Sequence, residues 1–254
     1  MLGRNLILVA LIIGITLAIA VVTNVVRTLI LASHGRTLAQ QARPFEQAGA
    51  STGAGANLRI LVAGDSTAVG TGVLDPATSV AGLIGARYPG ATVVNRSKNG
   101  LEVHEIAALL PAPPERFDVV VLLACGNNIL HRTPLDKLPA DVNDLLDRAR
   151  KLSDHVVLMP PGMFATAPIF PWPVNAFFGQ RSRQVRDIAR AAAKSHQVAY
   201  VDLLRPADKD PFAQDPKRYY SADGFHPGVA GYADWFTQLL PTLERLVAAA
   251  AGRR

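Results

Sequence analysis

Two short stretches of this chain carry continuous apolar runs behind one polar residue: residues 118–124 (DVVVLLA) and 155–160 (HVVLMP). A strand with one face in water alternates apolar and polar residues. A continuous run of Val and Leu at strand length suits a strand covered on both faces, as in a parallel sheet flanked by helices. Residues 58–63 (LRILVA), 91–95 and 198–202 are further strand candidates. Helical stretches lie between and after them, at about 79–88, 101–110, 135–152, 175–196 and 228–250. Strands alternating with helices predict an α/β fold, a three-layer α/β/α sandwich on a five-stranded parallel sheet. Ligands of such sheets bind beyond the carboxyl ends of the strands. The informative loops are therefore those after Ala63, Asn95, Ala124, Pro160 and Asp202.

The N-terminal part obeys a different pattern. Between Arg4 and Arg27 lie 22 residues without a charge. As a helix they reach about 33 Å, enough to cross a hydrocarbon core of about 30 Å. Ala18 and Ala20 lie inside the run and no small-x-small cleavage site follows it, so an uncleaved transmembrane anchor over residues 1–32 is expected rather than a signal peptide. Arg27, Arg36 and Arg43 beyond the run outnumber Arg4 before it, which by charge alone places the C-terminal side in the cytoplasm. Residues 33–57 are small and polar and read as a flexible tether, so the folded domain is expected over residues 58–254. The net charge is +6, shared equally between residues 1–57 and the nearly balanced remainder. No dominant phosphate-binding surface is implied, and nucleic acid is not an expected partner. A single cysteine, Cys125, excludes an intrachain disulfide and any multi-cysteine metal site.

The loops carry four groups of polar residues. After the first strand comes Gly64-Asp65-Ser66-Thr67, a glycine turn that exposes a serine hydroxyl beside backbone N–H groups. After the second comes Asn95-Arg96-Ser97-Lys98-Asn99-Gly100, and after the third Cys125-Gly126-Asn127-Asn128, whose amides can donate hydrogen bonds. Far downstream, Asp223 and His226 stand three residues apart in DGFHP, at the mouth of the last helix. Each group alone is compatible with ordinary turn or cap chemistry. Together, on one face of the sheet, they supply a nucleophile, a base, an orienting acid and oxyanion donors.

In this order the four groups resemble the SGNH hydrolases, the GDSL esterases and lipases. Ser66 matches the nucleophile block, Gly100 the glycine block, Asn127 the asparagine block, and Asp223 and His226 the Asp-x-x-His block. The resemblance runs from about residue 58 to the last helix. It implies a flavodoxin-like fold and ester hydrolysis without metal or cofactor. It further implies a triad of Ser66, Asp223 and His226, with an oxyanion hole from Ser66, Gly100 and Asn127. Many relatives are exported or act at membranes, which opposes the orientation read from charge. The third block departs from the family's Gly-x-Asn-Asp. Cys125 stands at the leading glycine and Asn128 at the Asp, and an alternative register makes Gly126 the glycine and Asn128 the donor.

Other chemistries lack their residues. Gly64-Asp65-Ser66-Thr67-Ala68 misses the second glycine of Gly-x-Ser-x-Gly, Gly70-Thr71-Gly72 lacks a third glycine at Asp75, and there is no His-Glu-x-x-His. A catalytically inactive, membrane-tethered binding module on the same scaffold is the alternative to an enzyme. For the substrate, the apolar loop 161–178 either walls an acyl pocket or packs onto the domain through Phe170 and Trp172. The basic stretch Arg181, Arg183, Arg186, Arg190 and Lys194 either faces anionic lipid or forms a solvated face.

Overall fold

The computed structural model describes residues 2–252. Met1 of the predicted anchor and Arg253 and Arg254 of the predicted domain lie outside the described residues. The five predicted strands form: β1 (Arg59–Gly64), β2 (Thr92–Ser97), β3 (Val119–Leu123), β4 (Val156–Leu158) and β5 (Ala199–Tyr200). They pair in parallel in the order β2-β1-β3-β4-β5, with Val62 of β1 opposite both Asn95 of β2 and Val121 of β3. β4 stops short because Pro160 and Pro161 follow it and have no N–H to donate to a ladder.

The helices are α1 (Leu2–Gln41), α2 (Ser66–Val69), α3 (Val80–Arg87), α4 (Val103–Leu109), α5 (Gly126–Leu130), α6 (Leu138–Leu152), α7 (Val174–Ser195), α8 (Pro211–Gln214), α9 (Pro216–Tyr219) and α10 (Val229–Ala251). Alternate residues of each strand feed two cores. Leu61, Leu122 and Leu158 pack under α4, α6 and α7. Ile60, Val121 and Val157 pack under α3 and α10. All six side chains are fully buried, as the continuous apolar runs required. The chain leaves β1 toward β2 on one side and returns to β3 on the other. A crevice therefore opens at the carboxyl ends of β1 and β3, the switch point where such folds hold ligands.

α1 does not end with the apolar run. It continues through residues 33–41, and the segment after it is docked rather than free. Gln47 pairs with Val93 of the edge strand β2 through two backbone hydrogen bonds of 3.0 and 2.9 Å, while its side-chain amide donates to the carbonyls of Tyr88 and Ala91. Phe45 packs at Gly85 of α3. The small polar composition of residues 33–57 reads as a tether because these partners lie some forty residues away and leave no local signature. The docked segment also covers the β2 edge, whose backbone groups would otherwise be open to another strand.

Leu122 lies in the central strand with no exposed surface. Leu122→Ala is expected to destabilise the fold by about 2–5 kcal/mol in urea unfolding, because the closed layers on both sides cannot collapse into the void.

Candidate active site

The Ser66 turn is shaped by a contact between strands. Gly64 ends β1 against β3, and a Cβ there would meet the Leu123 carbonyl oxygen at 2.0 Å. Only glycine fits this approach. The Asp65 N–H then donates to the same Leu123 oxygen at 3.1 Å. The Asp65 carboxylate caps α2, accepting the Thr67 N–H at 2.9 Å and the Thr67 hydroxyl at 2.8 Å on Oδ1. This presents Ser66 as the first residue of α2, at the head of the β1/β3 crevice.

His226 joins it from the far end of the chain. Its Nε2 lies 2.9 Å from Ser66 Oγ, and its Nδ1 lies 2.6 Å from Asp223 Oδ2. The carboxylate partner assigns the proton to Nδ1, which leaves Nε2 as the acceptor for the serine hydroxyl. Asp223 is buried, and its Oδ1 accepts the Ser221 hydroxyl at 2.7 Å and the N–H groups of Phe225 and His226 at 2.9 and 3.0 Å. Burial pushes this carboxyl up. The bond and charge of His226, with Ser221 and Phe225, outweigh burial and hold the carboxyl below its ordinary value.

The third loop tells its two asparagines apart. Asn128 is fully buried: its amide donates to Glu102 and Thr133, and its oxygen accepts the Val103 N–H. Asn127 lines the cavity with Ser66. One Asn127 N–H is held by the Leu101 carbonyl at 3.0 Å, which orients the amide and leaves its second N–H for another acceptor. Asp65, read from sequence as a turn residue, also reaches this loop: its Oδ2 accepts the Gly126 N–H at 3.1 Å. One buried carboxylate thus ties the serine turn to the asparagine turn. Its burial raises the carboxyl, an effect that the hydrogen bonds from Thr67 and Gly126 only partly offset. Gly100 stands farther out. Its turn is tied to the serine side through Lys98 N–H to the Gly64 carbonyl and Thr71 Oγ1 to Asn99 Oδ1, but it is not among the described residues that line the cavity.

Cys125 precedes Gly126 with φ 83°, a left-handed backbone that favours glycine and costs a non-glycine residue about 1 kcal/mol or more. Its thiol is buried, and burial raises it far above the range in which a thiolate forms.

The cavity beside Ser66 is mostly apolar, with Met163, Phe164, Leu203, Phe212 and Trp235 in its wall. Loop 161–178 contributes as a wall at its start. Farther on, Phe170 and Phe178 stack with Phe164 and Phe225, whereas Trp172 points into solvent and packs nothing down. The basic stretch of α7 is not one face: Arg181 is buried and donates to the Asn128 and Thr133 carbonyls, and Arg186 pairs with Asp187. Sequence reasoning also missed the continuation of α1 through residues 33–41. Gly35 of this helix lies so close to Asp223 that a Cβ would sit 3.3 Å from its Oδ2, and Asn99 donates to the Ala39 carbonyl. Nothing local in residues 33–41 signals this.

A model of the GDSL-like lipase/acylhydrolase family matches residues 62–233. Among solved structures, the chain is similar to TesA, with a TM-score of 0.58 and 23% identity over 74% of this chain and 99% of that one. It is also similar to the lipase/acylhydrolase of Enterococcus faecalis, with a TM-score of 0.56 and 20% identity over 74% and 95% of the two chains. A variant of an acetyl xylan esterase from Geobacillus stearothermophilus aligns with a TM-score of 0.51 and 23% identity over 76% and 96%. At these identities the likeness is one of fold. No curated protein matches the sequence significantly.

Two outcomes follow from the geometry. Asp65→Asn keeps an oxygen for Thr67 but opposes an N–H to that of Gly126. It is expected to cost about 1–3 kcal/mol in thermal unfolding, with lower turnover as the Asn127 turn shifts. Asp223 ionises in the fold below its ordinary 3.8, so its stabilisation is present above that value and is lost as pH falls through and beneath it. The stability gap between wild type and Asp223→Asn, read by urea unfolding, is expected to narrow below about pH 4.

Proposed function

The chain belongs to the GDSL-like lipase/acylhydrolase family and is a hydrolase acting on ester bonds, and we propose that it works as a serine esterase through Ser66, His226 and Asp223. The observation that carries this reading is the continuous hydrogen-bonded line from Asp223 through His226 to Ser66 at the mouth of an apolar cavity. Neutral His226 accepts the Ser66 proton at Nε2 as Oγ attacks the ester carbonyl. Asp223 keeps the ring oriented and stabilises its charged form. The N–H groups of Ser66 and Gly100 and the free N–H of Asn127 receive the oxyanion. The imidazolium then protonates the departing alkoxide, and the carbon–oxygen bond to the alcohol breaks. Water, deprotonated by the same Nε2, attacks the acyl-enzyme, and the acid leaves as Oγ regains its proton.

The apolar cavity wall suits the acyl part of an ester. α1 supports a membrane attachment: it is long and apolar enough to cross a bilayer, and its residues 4–26 are exposed. Contacts of residues 27–41 with the catalytic face favour a retained anchor over a cleaved leader. On this reading residues 1–32 are the anchor, 33–57 connect it, and 58–254 are the esterase domain.

The test is hydrolysis of p-nitrophenyl esters from acetyl to long acyl by the full chain in detergent. Ser66→Ala is expected to lose about 10⁴-fold or more in turnover, and labelling by a fluorophosphonate with it. Asn127→Ala is expected to lose about 10²–10³-fold, while Asn128→Ala acts mainly on stability. Retained turnover in Ser66→Ala overturns the proposal.

A further inference from the structure

The edge of the domain beside α1 is built in two layers. Loop 161–178 and the start of α7 turn Phe164, Phe170 and Phe178 inward, onto one another and onto Phe225. The same stretch turns Trp172, Val174 and Phe177 outward, with Trp172 83% exposed. An indole left this open is not part of the core, and a cluster of apolar side chains at one edge marks a surface that meets something apolar.

α1 identifies the neighbour. As it leaves its uncharged run, Arg27 donates to the Pro168 carbonyl at 2.7 Å and the Thr28 hydroxyl lies 3.5 Å from the Ile169 carbonyl. One turn on, Leu31 lies against Gly224. Leu29 and Ile30, at the same level of the helix, are exposed. The helix thus meets the loop at Pro168 and Ile169 and carries the apolar residues Leu29, Ile30 and Leu31 past that contact. The Pro168 carbonyl meets the Arg27 charge where a cation at the end of a span otherwise reaches for the headgroups.

We propose that residues 168–177 rest on the surface of the bilayer that α1 enters, with Trp172 and Phe177 at the headgroup level. The proposal rests on the reading of α1 as a membrane anchor. Trp is suited to this depth, because its ring is apolar and its N–H finds a partner among headgroups. Held at two places, the helix and the loop, the domain keeps one orientation over the lipid. Gly35, which packs against Asp223, lies only five residues beyond Ile30, about 7–8 Å along the helix axis. The triad thus stands just above the interface, and the substrate class that fits is an amphiphilic acyl ester presented by the bilayer itself.

The chain has two tryptophans, and Trp235 is buried against Phe212 and Tyr232, so exposed emission reports Trp172. The full chain is reconstituted in phosphatidylcholine vesicles carrying bromine on acyl carbons near the headgroup. Emission of the wild type is expected to be quenched by the brominated lipid and shielded from aqueous iodide. Trp172→Phe loses the quenched component and keeps its turnover on a water-soluble short ester. If the protein floats with the vesicles but Trp172 is quenched by iodide and not by bromine, the seating is overturned while the anchor stands. If the protein does not float with the vesicles, the anchor reading falls and the seating falls with it. Neither result touches the esterase chemistry, which the short ester reads separately.

Discussion

The contact at the carboxyl ends of β1 and β3, where Gly64 passes the Leu123 carbonyl, is the constraint on which the site depends. Parallel strands can approach this closely only where a side chain is missing. The approach lets the Asp65 N–H join Leu123, and from there the Asp65 carboxylate reaches both Thr67 and Gly126. Two loops that leave adjacent strands are thereby held as one unit, with the serine on one and the oriented asparagine amide on the other. A buried carboxylate that accepts three hydrogen bonds is costly to place, and the sheet around it supplies the rigidity that repays that cost.

The second half of the site comes from the other end of the domain by a different device. Asp223 and His226 sit in the turn before α10, and α10 is pinned from below: Tyr232 is fully buried and donates its hydroxyl to the Thr71 carbonyl at 2.7 Å. The serine segment and the histidine turn are therefore fixed to each other through both the Ser66–His226 hydrogen bond and this support. Above them, α1 crosses the same turn at Gly35 and the Asn99 turn at Ala39. The helix that reads as an anchor also packs on the turns that hold Asp223 and Asn99.

Elements with strong local patterns were legible before the structure. The five strands and the five principal helices stand where periodicity and turn residues put them, because burial on both faces of a sheet writes itself into consecutive residues. The short helices α2, α5, α8 and α9 left no such trace, since four or five residues carry no period. Ser66, Asp223 and His226 were legible through the resemblance of their blocks, not through any local force, and Gly100 and Asn127 came with them. Of these, Ser66, Asn127 and His226 line the described cavity, while Gly100 and Asp223 stand outside its lining.

The sequence by itself determined the class of sheet, the order of strand and helix, and the set of polar loops that share its carboxyl edge. Those follow from the apolar period and from the right-handed connection of parallel strands, both of which are local. Only the tertiary structure decided that Asn127 rather than Asn128 faces the cavity, that Arg181 is buried while Trp172 is not, and that residues 33–57 dock instead of hanging free. Each of these depends on partners tens to nearly two hundred residues away, such as Glu102 for Asn128 and Asp223 for Gly35. A side chain's neighbours across the fold decide its exposure and its hydrogen bonds, and no window along the chain contains them.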